Sequence, residues 1–218
     1  MGPAASTAAC EVLAAILDSV AAGQFPPADG RVTILPQPCA RDAGVVGFTA
    51  HAVVFADAEP EWVAAQLPED DLGAPLSPWF LHALAERTGR EAHQTDLVAC
   101  ATALPGPPPV DLTPEADPAH PRIVRALRFR DDVRAWEAPG GVVLLGRGIG
   151  GRWEVALEVD PDSRGTGLGR SLAMAARHLV PGGAPVWAQV APGNAASIRA
   201  FLAAGFRPVG AEALLTIR

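Results

Sequence analysis

A glycine-rich stretch, residues 159–170, constrains the fold of this chain more than any other feature of its sequence. It follows an apolar, strand-like run and leads into a pattern that predicts a helix from Leu168. Between them, Gly165, Gly167 and Gly169 predict a tight turn at the start of that helix. The first amide N–H groups of a helix lack partners within the helix and commonly bind phosphate oxygens. The stretch therefore predicts an α/β fold with an anion-binding turn.

A second glycine motif, at residues 146–151, has the spacing G-x-G-x-x-G of dinucleotide-binding turns. That function requires a helix directly after the glycines. The segment that follows, from Trp153 to Val159, instead alternates in polarity and is rich in valine, which predicts a strand. We therefore expect a hairpin turn here and no dinucleotide site.

A cluster at residues 194–206 begins with the only asparagine of the chain, Asn194, and includes Phe201 and the pair Gly205-Phe206. Together with the stretch 159–170, it resembles the acyl-CoA signature of the GCN5-related N-acetyltransferase (GNAT) superfamily. The resemblance is strong from about residue 132 to residue 217. It implies an α/β (α+β) GNAT fold with a mixed central sheet flanked by helices, and acetyl-CoA as the co-substrate.

The resemblance also implies where the co-substrate binds. In the superfamily, the strand that ends at Val159 bulges and splays from its neighbour, and its free backbone groups pair with the pantetheine arm. The diphosphate then binds the amides of residues 165–170, with arginine charges at both ends. Asn194 either contacts the arm or caps the helix that follows, or does both. The implied binding residues are Leu157, Val159, Arg164, Gly165, Thr166, Gly167, Leu168, Gly169, Arg170, Asn194, Ser197 and Phe201.

Acyl transfer to an amine requires a group that accepts the proton of the amine. Glu158 is our first candidate for this base and Glu154 the second, because both lie on one face of a regular strand. The alternative is that both are solvated acids without a catalytic role. Many GNAT members carry a tyrosine at the position of Phe201 as the general acid, whereas this chain has no tyrosine. The thiolate could then take its proton from water, or from Ser197, Cys100 or a histidine of the N-terminal half.

Charge is distributed unevenly along the chain. Residues 1–103 contain 4 arginines and 13 acids, whereas residues 104–218 contain 13 arginines and 11 acids. An acidic half argues against nucleic acid as a partner and suits a cationic acceptor. The mildly basic half suits a polyanionic co-substrate such as coenzyme A. We therefore expect the acceptor to be a small-molecule or peptide amine.

The domain organisation predicted from the sequence has three parts. Residues 1–104 form an α/β region that is either a degenerate GNAT-like half or a cap, and that contributes to the acceptor site. Within it, residues 45–56 predict one strand. Residues 105–121 are rich in proline and predict a linker. Residues 122–218 form the GNAT core that binds acyl-CoA.

The sequence also bears on location and on competing functions. Its apolar runs are shorter than the roughly 18–20 residues that cross a bilayer, and no secretory signal is visible. The three cysteines lack a CxxC pair, so we expect no metal site. We expect a cytoplasmic protein without a membrane partner, either a monomer or a homodimer. Two functions remain open: an acyl-CoA-dependent N-acyltransferase, or a catalytically weak or inactive acyl-CoA-binding module with a regulatory role.

Overall fold

The computed structural model describes residues 3–68, 70–114 and 116–217. The chain forms two compact units, one from residues up to 97 together with those from 209 onward, the other from residues 98–208. The elements, in chain order, are α1 (Pro3–Ala21), β1 (Val32–Leu35), β2 (Gly44–Phe48), β3 (His51–Phe55), α2 (Pro60–Gln66), α3 (Pro78–Thr88), β4 (Arg90–Ala101), β5 (Thr113–Pro114), α4 (Pro121–Phe129), β6 (Asp131–Ala138), β7 (Gly141–Arg147), β8 (Trp153–Val159), α5 (Leu168–Leu179), β9 (Val186–Val190), α6 (Ala195–Ala203) and β10 (Arg207–Ile217).

The first unit has a mixed sheet with the strand order β1-β3-β2-β10-β4. Strands β1 and β3 are parallel, whereas β2 is antiparallel to both β3 and β10. Val54 and Phe80 are fully buried in the core between this sheet and α3. The single strand predicted at residues 45–56 is wrong: the chain reverses at Thr49-Ala50, where Ala50 has a φ of 51°. Sequence patterns miss this turn because it contains no glycine or proline.

The second unit has a mixed sheet in the order β4-β9-β8-β7-β6-β5. The pairs from β5 to β8 are antiparallel, and β8 is parallel to β9. The G-x-G-x-x-G segment joins the antiparallel strands β7 and β8 through a short turn at Ile149–Gly151, so the predicted hairpin is confirmed. Helix α5 follows β8, and α6 follows β9, as the glycine turn and the asparagine predicted. The mixed α/β class with helices flanking the sheet is thus confirmed.

Helix α4 was not predicted, because the proline-rich segment before it suggested extended chain. Pro121 occupies the first turn, where proline is tolerated, and His120 caps the helix by accepting a hydrogen bond at Nδ1 from the Arg122 amide at 3.1 Å. Ile123 and Ala126 are buried against apolar side chains of β7 and β8. The proline-rich residues 105–121 lie within the second unit, and two of them form β5.

Candidate functional site

Strands β8 and β9 separate partway along their length. Over the described residues, their parallel register covers only residues 153–155 of β8 and 186–188 of β9. Burial changes at the same point, since residues 153–155 are buried and residues 156–159 are partly exposed. The second half of β8 therefore pairs on one side with β7 and leaves its other side open.

The hydrogen bonds at both ends of β8 show which backbone groups face this opening. The Gly148 amide donates to the Arg152 carbonyl at 3.0 Å, and the Asp160 amide donates to the Gly140 carbonyl at 2.8 Å. Even-numbered residues of this segment therefore face β7, and by alternation Leu157 and Val159 direct their backbone groups toward the opening. The register with β7 is continuous, so the structure shows the splay but not the bulge that the resemblance implied.

The turn before α5 presents unpaired amides to solvent. Gly165 and Gly167 have φ values of 79° and 93°, in the left-handed region, with open space where a Cβ would lie. Among the described residues, no hydrogen bond involves the amides of Gly165, Thr166, Gly167, Gly169 and Arg170. The hydroxyl of Thr166 is engaged, because it donates to the Ser163 carbonyl at 2.8 Å and accepts from the Leu168 amide at 3.4 Å. The loop is thus held open by its own contacts, with amide donors on its surface.

Three elements converge beside this turn. A Cβ placed on Gly169 would lie 3.6 Å from Cγ2 of Val159 and 3.8 Å from Cβ of Ala200. The end of β8, the start of α5 and the middle of α6 are therefore neighbours. Arg164 and Arg170 are exposed in the same region, and the Arg164 Nε donates to the Val159 carbonyl at 3.4 Å. The structure thus brings together most of the residues that the resemblance implied for binding.

Phe201 and Asn194 have clear structural roles in α6. Phe201 is buried and packs edge-to-face against Phe206, with ring centroids 5.0 Å apart. The Oδ1 of Asn194 accepts a hydrogen bond from the Ser197 amide at 3.0 Å, which is the expected N-cap contact. The capping alternative is therefore observed, and contact of Asn194 with the pantetheine arm stays a prediction.

The cap and the ligand contact can be separated by substitution. Asn194→Ala is expected to lower the free energy of unfolding by about 1 kcal/mol, because the cap is lost. Asn194→Ser should retain the cap and most of that stability. Urea unfolding measures the loss of stability when the cap is removed. Calorimetric titration with coenzyme A measures any loss of ligand contact. Equal coenzyme A affinity in the serine variant and the wild type would show that Asn194 acts only as a cap.

Glu154 lies in a buried polar cluster. Its carboxylate accepts from Arg130 Nε and Arg152 Nε, both at 2.8 Å, and from Gln189 Nε2 at 3.2 Å. Gln189 Oε1 also accepts from Arg130 Nη2 at 2.9 Å, so the cluster joins the end of α4 to β8 and β9. A Cβ on Gly148 would overlap the Glu154 carboxyl group, so only glycine permits this approach.

This environment makes Glu154 a poor proton acceptor. Burial by itself would raise its pKa, but the charges of Arg152 and Arg130 outweigh that effect, and the pKa of Glu154 is lowered. A carboxylate held by two guanidinium groups favours its ionised form. Our second candidate for the base is therefore better described as a structural anion that fixes the arginines.

Glu158 lies on the same face of β8 but in a different environment. Its side chain is 43% exposed, and its Oε2 accepts from Arg122 Nε of α4 at 3.3 Å. It is therefore accessible to a substrate while it remains next to the open side of β8. Of the two carboxylates, Glu158 is the exposed one, and its role as the general base stays a prediction.

Sequence reasoning missed the arginines around these carboxylates. Arg122 and Arg130 are far from the glycine motifs, and Arg152 directly follows the one at residues 146–151 that we assigned to a hairpin turn. Nothing in their local sequence distinguishes these three from the other 14 arginines of the chain. A signal that could have pointed to them is Glu154, an acidic residue between Trp153 and Val155 in a largely apolar strand, because a buried carboxylate needs a partner.

The first unit contains a cavity of about 520 Å³ next to α3 and β4. Its lining includes Leu76, Leu81, His82, Glu86, His93 and Gln94. This volume is within the range typical of small-molecule sites. A role of this unit in the acceptor site stays a prediction. No helix in the described ranges is long and apolar enough to cross a membrane, and no group of three or more potential metal ligands occurs among the described residues.

Comparison with known proteins identifies a related family. Residues 154–214 match the family model described as FR47-like protein, which is related to the GNAT superfamily. This match confirms the resemblance over the segment that contains β8, the glycine turn, α5, β9 and α6. No curated protein matches the chain.

Solved structures of GNAT proteins also resemble the chain. A GCN5-related N-acetyltransferase from Kribbella flavida is 18% identical, with a TM-score of 0.42; the match covers 62% of this chain and 63% of that one. An acetyltransferase from the GNAT family of Colwellia psychrerythraea is 12% identical, with a TM-score of 0.39 and coverage of 63% and 62%. A GCN5-related N-acetyltransferase from Sphaerobacter thermophilus is 17% identical, with a TM-score of 0.39 and coverage of 65% and 57%. In each case the match spans less than two thirds of the related chain.

Proposed function

We propose that this chain, whose residues 154–214 match a GNAT-related family model, is an acyl-CoA-dependent N-acyltransferase that transfers an acetyl group to an amine. One observation carries the proposal: the unpaired amides at the start of α5 lie beside the open side of β8. The first feature suits a diphosphate, and the second suits an amide-bearing arm that pairs like an added strand. Coenzyme A contains a diphosphate that is followed by an amide-bearing pantetheine arm.

The residues present fit this co-substrate. The amides of residues 165–167 and 169–170 would bind the diphosphate, with positive charge from Arg164 and Arg170. The backbone groups of Leu157 and Val159 would pair with the pantetheine arm, and Arg164 would release the Val159 carbonyl on binding. The thioester would then lie toward the middle of β8, and the exposed Glu158 lies on the same strand, one residue before its end.

In the proposed reaction, the neutral amine nitrogen attacks the thioester carbonyl carbon. A carbon–nitrogen bond forms, the carbon–sulfur bond breaks, and Glu158 accepts the proton that the nitrogen loses, directly or through water. The departing thiolate takes its proton from water, because a phenyl ring at position 201 cannot donate one. The pKa of a free thiol, roughly 8–9, is close enough to neutrality for water to serve as this source.

The second candidate function is an acyl-CoA-binding module without efficient catalysis. It is favoured by Phe201, which is packed against Phe206 where many superfamily members carry a catalytic tyrosine. Both candidates require co-substrate binding at the same turn. They differ in whether an amine accelerates the release of free thiol, and that difference depends on Glu158.

The glycine turn provides a direct test of co-substrate binding. Gly165→Ala is expected to weaken coenzyme A binding at least tenfold, because a Cβ would hold the diphosphate away from the amides. Calorimetric titration measures this affinity. Pantetheine lacks the diphosphate, so it should bind the variant and the wild type equally.

Gly151→Ala is the matched control for this substitution. Gly151 also has a left-handed φ, 72°, and open space around its Cβ position, but it lies in the turn before β8. Both substitutions carry a similar strain of about 1–2 kcal/mol, so only a specific effect on binding can distinguish them. Unchanged coenzyme A affinity in Gly165→Ala would exclude the turn as the diphosphate site.

A further inference from the structure

Helix α4 places an arginine beside the proposed base. Arg122, the second residue of the helix, donates through Nε to Glu158 Oε2 at 3.3 Å. The two side chains are 36% and 43% exposed, so a substrate that reaches Glu158 also reaches Arg122. An exposed ion pair of this kind contributes little to stability, about 0–1 kcal/mol.

The guanidinium group of Arg122 is only partly used. Within the part of the chain that the structure describes, its side chain hydrogen-bonds to Glu158 alone, through Nε. Its Nη1 and Nη2 therefore remain available at the outer end of the group. This end of a guanidinium presents two parallel N–H donors, which match the two oxygens of a carboxylate.

The geometry of β8 determines the side from which an acceptor approaches. Consecutive side chains of a strand point to opposite faces. Val159 lies on the face next to Gly169 and α5, whereas Ala156 and Glu158 lie on the face next to α4. The α5 face is the one proposed for the diphosphate. An amine that delivers its proton to Glu158 therefore arrives on the α4 face.

We propose that the acceptor is an amine that also carries a carboxylate, as an amino acid does, and that Arg122 binds this carboxylate. Arg122 would orient the acceptor so that its amine faces Glu158. Helix α4 contains no acidic residue that would repel such an acceptor. This inference rests on the proposed function, because it assumes that Glu158 faces the reacting amine.

The test compares amino acids with their carboxamides, which keep the amine and lose the negative charge. We expect kcat/KM of the wild type to be at least tenfold higher for the amino acids than for their carboxamides. Each value is first corrected for the fraction of acceptor whose amine is neutral. Arg122→Gln should reduce this preference to less than threefold, mainly through a higher KM for the acids. Arg122→Lys should retain part of it, because the charge remains but the paired donors are lost.

Arg128→Gln is the matched control, since it removes the same charge from an exposed residue on a different side of α4. It should leave the preference within twofold of the wild type. No preference for acids in the wild type, or a preference that persists in Arg122→Gln, would overturn the inference. A stronger preference for amino phosphonates would overturn the assignment to carboxylates.

A binding measurement separates this inference from the proposed function. Calorimetric titration of the coenzyme A-loaded protein with an amino acid and its carboxamide requires no turnover. Arg122-dependent binding of the amino acid without acyl transfer would support the carboxylate site and reject the transferase. Acyl transfer to both acceptors with equal efficiency would support the transferase and reject the carboxylate site.

Discussion

Glu158→Gln is expected to reduce amine-dependent release of free thiol from acetyl-CoA at least tenfold, and by up to the 10²–10⁴-fold typical of a lost general base. An amide cannot accept the proton, whereas its oxygen can still accept the hydrogen bond from Arg122. Binding of coenzyme A should therefore be unchanged. A thiol-reactive chromophore measures the release, with a panel of amines that includes amino acids.

Glu137→Gln is the control for this experiment. Glu137 is an exposed glutamate of β6 in the same unit, and its Oε1 accepts from the Asp117 amide, which a glutamine can preserve. The charge change is the same, so a general electrostatic effect would appear in both variants. Equal rates in Glu158→Gln and the wild type would remove Glu158 as the base. Coenzyme A binding without release in the wild type would favour the binding module.

Glu154→Gln is expected to lower the free energy of unfolding by about 3–5 kcal/mol, the cost of removing one partner from a buried ion pair. Arg152 and Arg130 have side chains only 2% and 12% exposed, and both would lose the buried carboxylate to which they donate. Urea unfolding measures the difference. Glu158→Gln again provides the comparison, because its half-exposed pair should cost no more than about 1 kcal/mol. A loss below 1 kcal/mol in Glu154→Gln would contradict a structural role for the cluster.

The pH dependence of this difference has a defined sign. The pKa of Glu154 is lowered from its ordinary value of 4.5, so its contribution to stability is fully present above that value. The contribution is lost as the pH falls toward the folded-state pKa. The gap in stability between the wild type and Glu154→Gln should therefore narrow in acid, and remain constant between about pH 6 and pH 8.

The elements around the glycine turn could be predicted from the sequence because their signals are local. Alternation in β8, the glycines before Leu168 and the asparagine before α6 each act on neighbouring residues. Helix α4 could not be predicted, since its stability depends on Ile123 and Ala126 packing against β7 and β8. Tertiary contact outweighed the extended preference of the prolines before it.

The two glutamates of β8 show that prediction from the sequence has the same limit at the site. Glu154 and Glu158 are four residues apart on one strand face, and no local sequence signal shows that one is buried and the other exposed. Their environments differ because Arg130 and Gln189, from other parts of the chain, donate to Glu154, whereas Arg122 donates to Glu158. A local sequence pattern cannot predict these hydrogen bonds, because the tertiary packing brings the partners together.

The sequence by itself determined that a strand, a glycine turn and a helix follow one another, and that the turn favours an anion, because backbone sterics and helix ends are properties of adjacent residues. Only the tertiary structure decided where β8 parts from β9, which carboxylate is buried and which arginine stands beside the exposed one. These features depend on pairing between distant segments, and burial then sets the free energy of each charge.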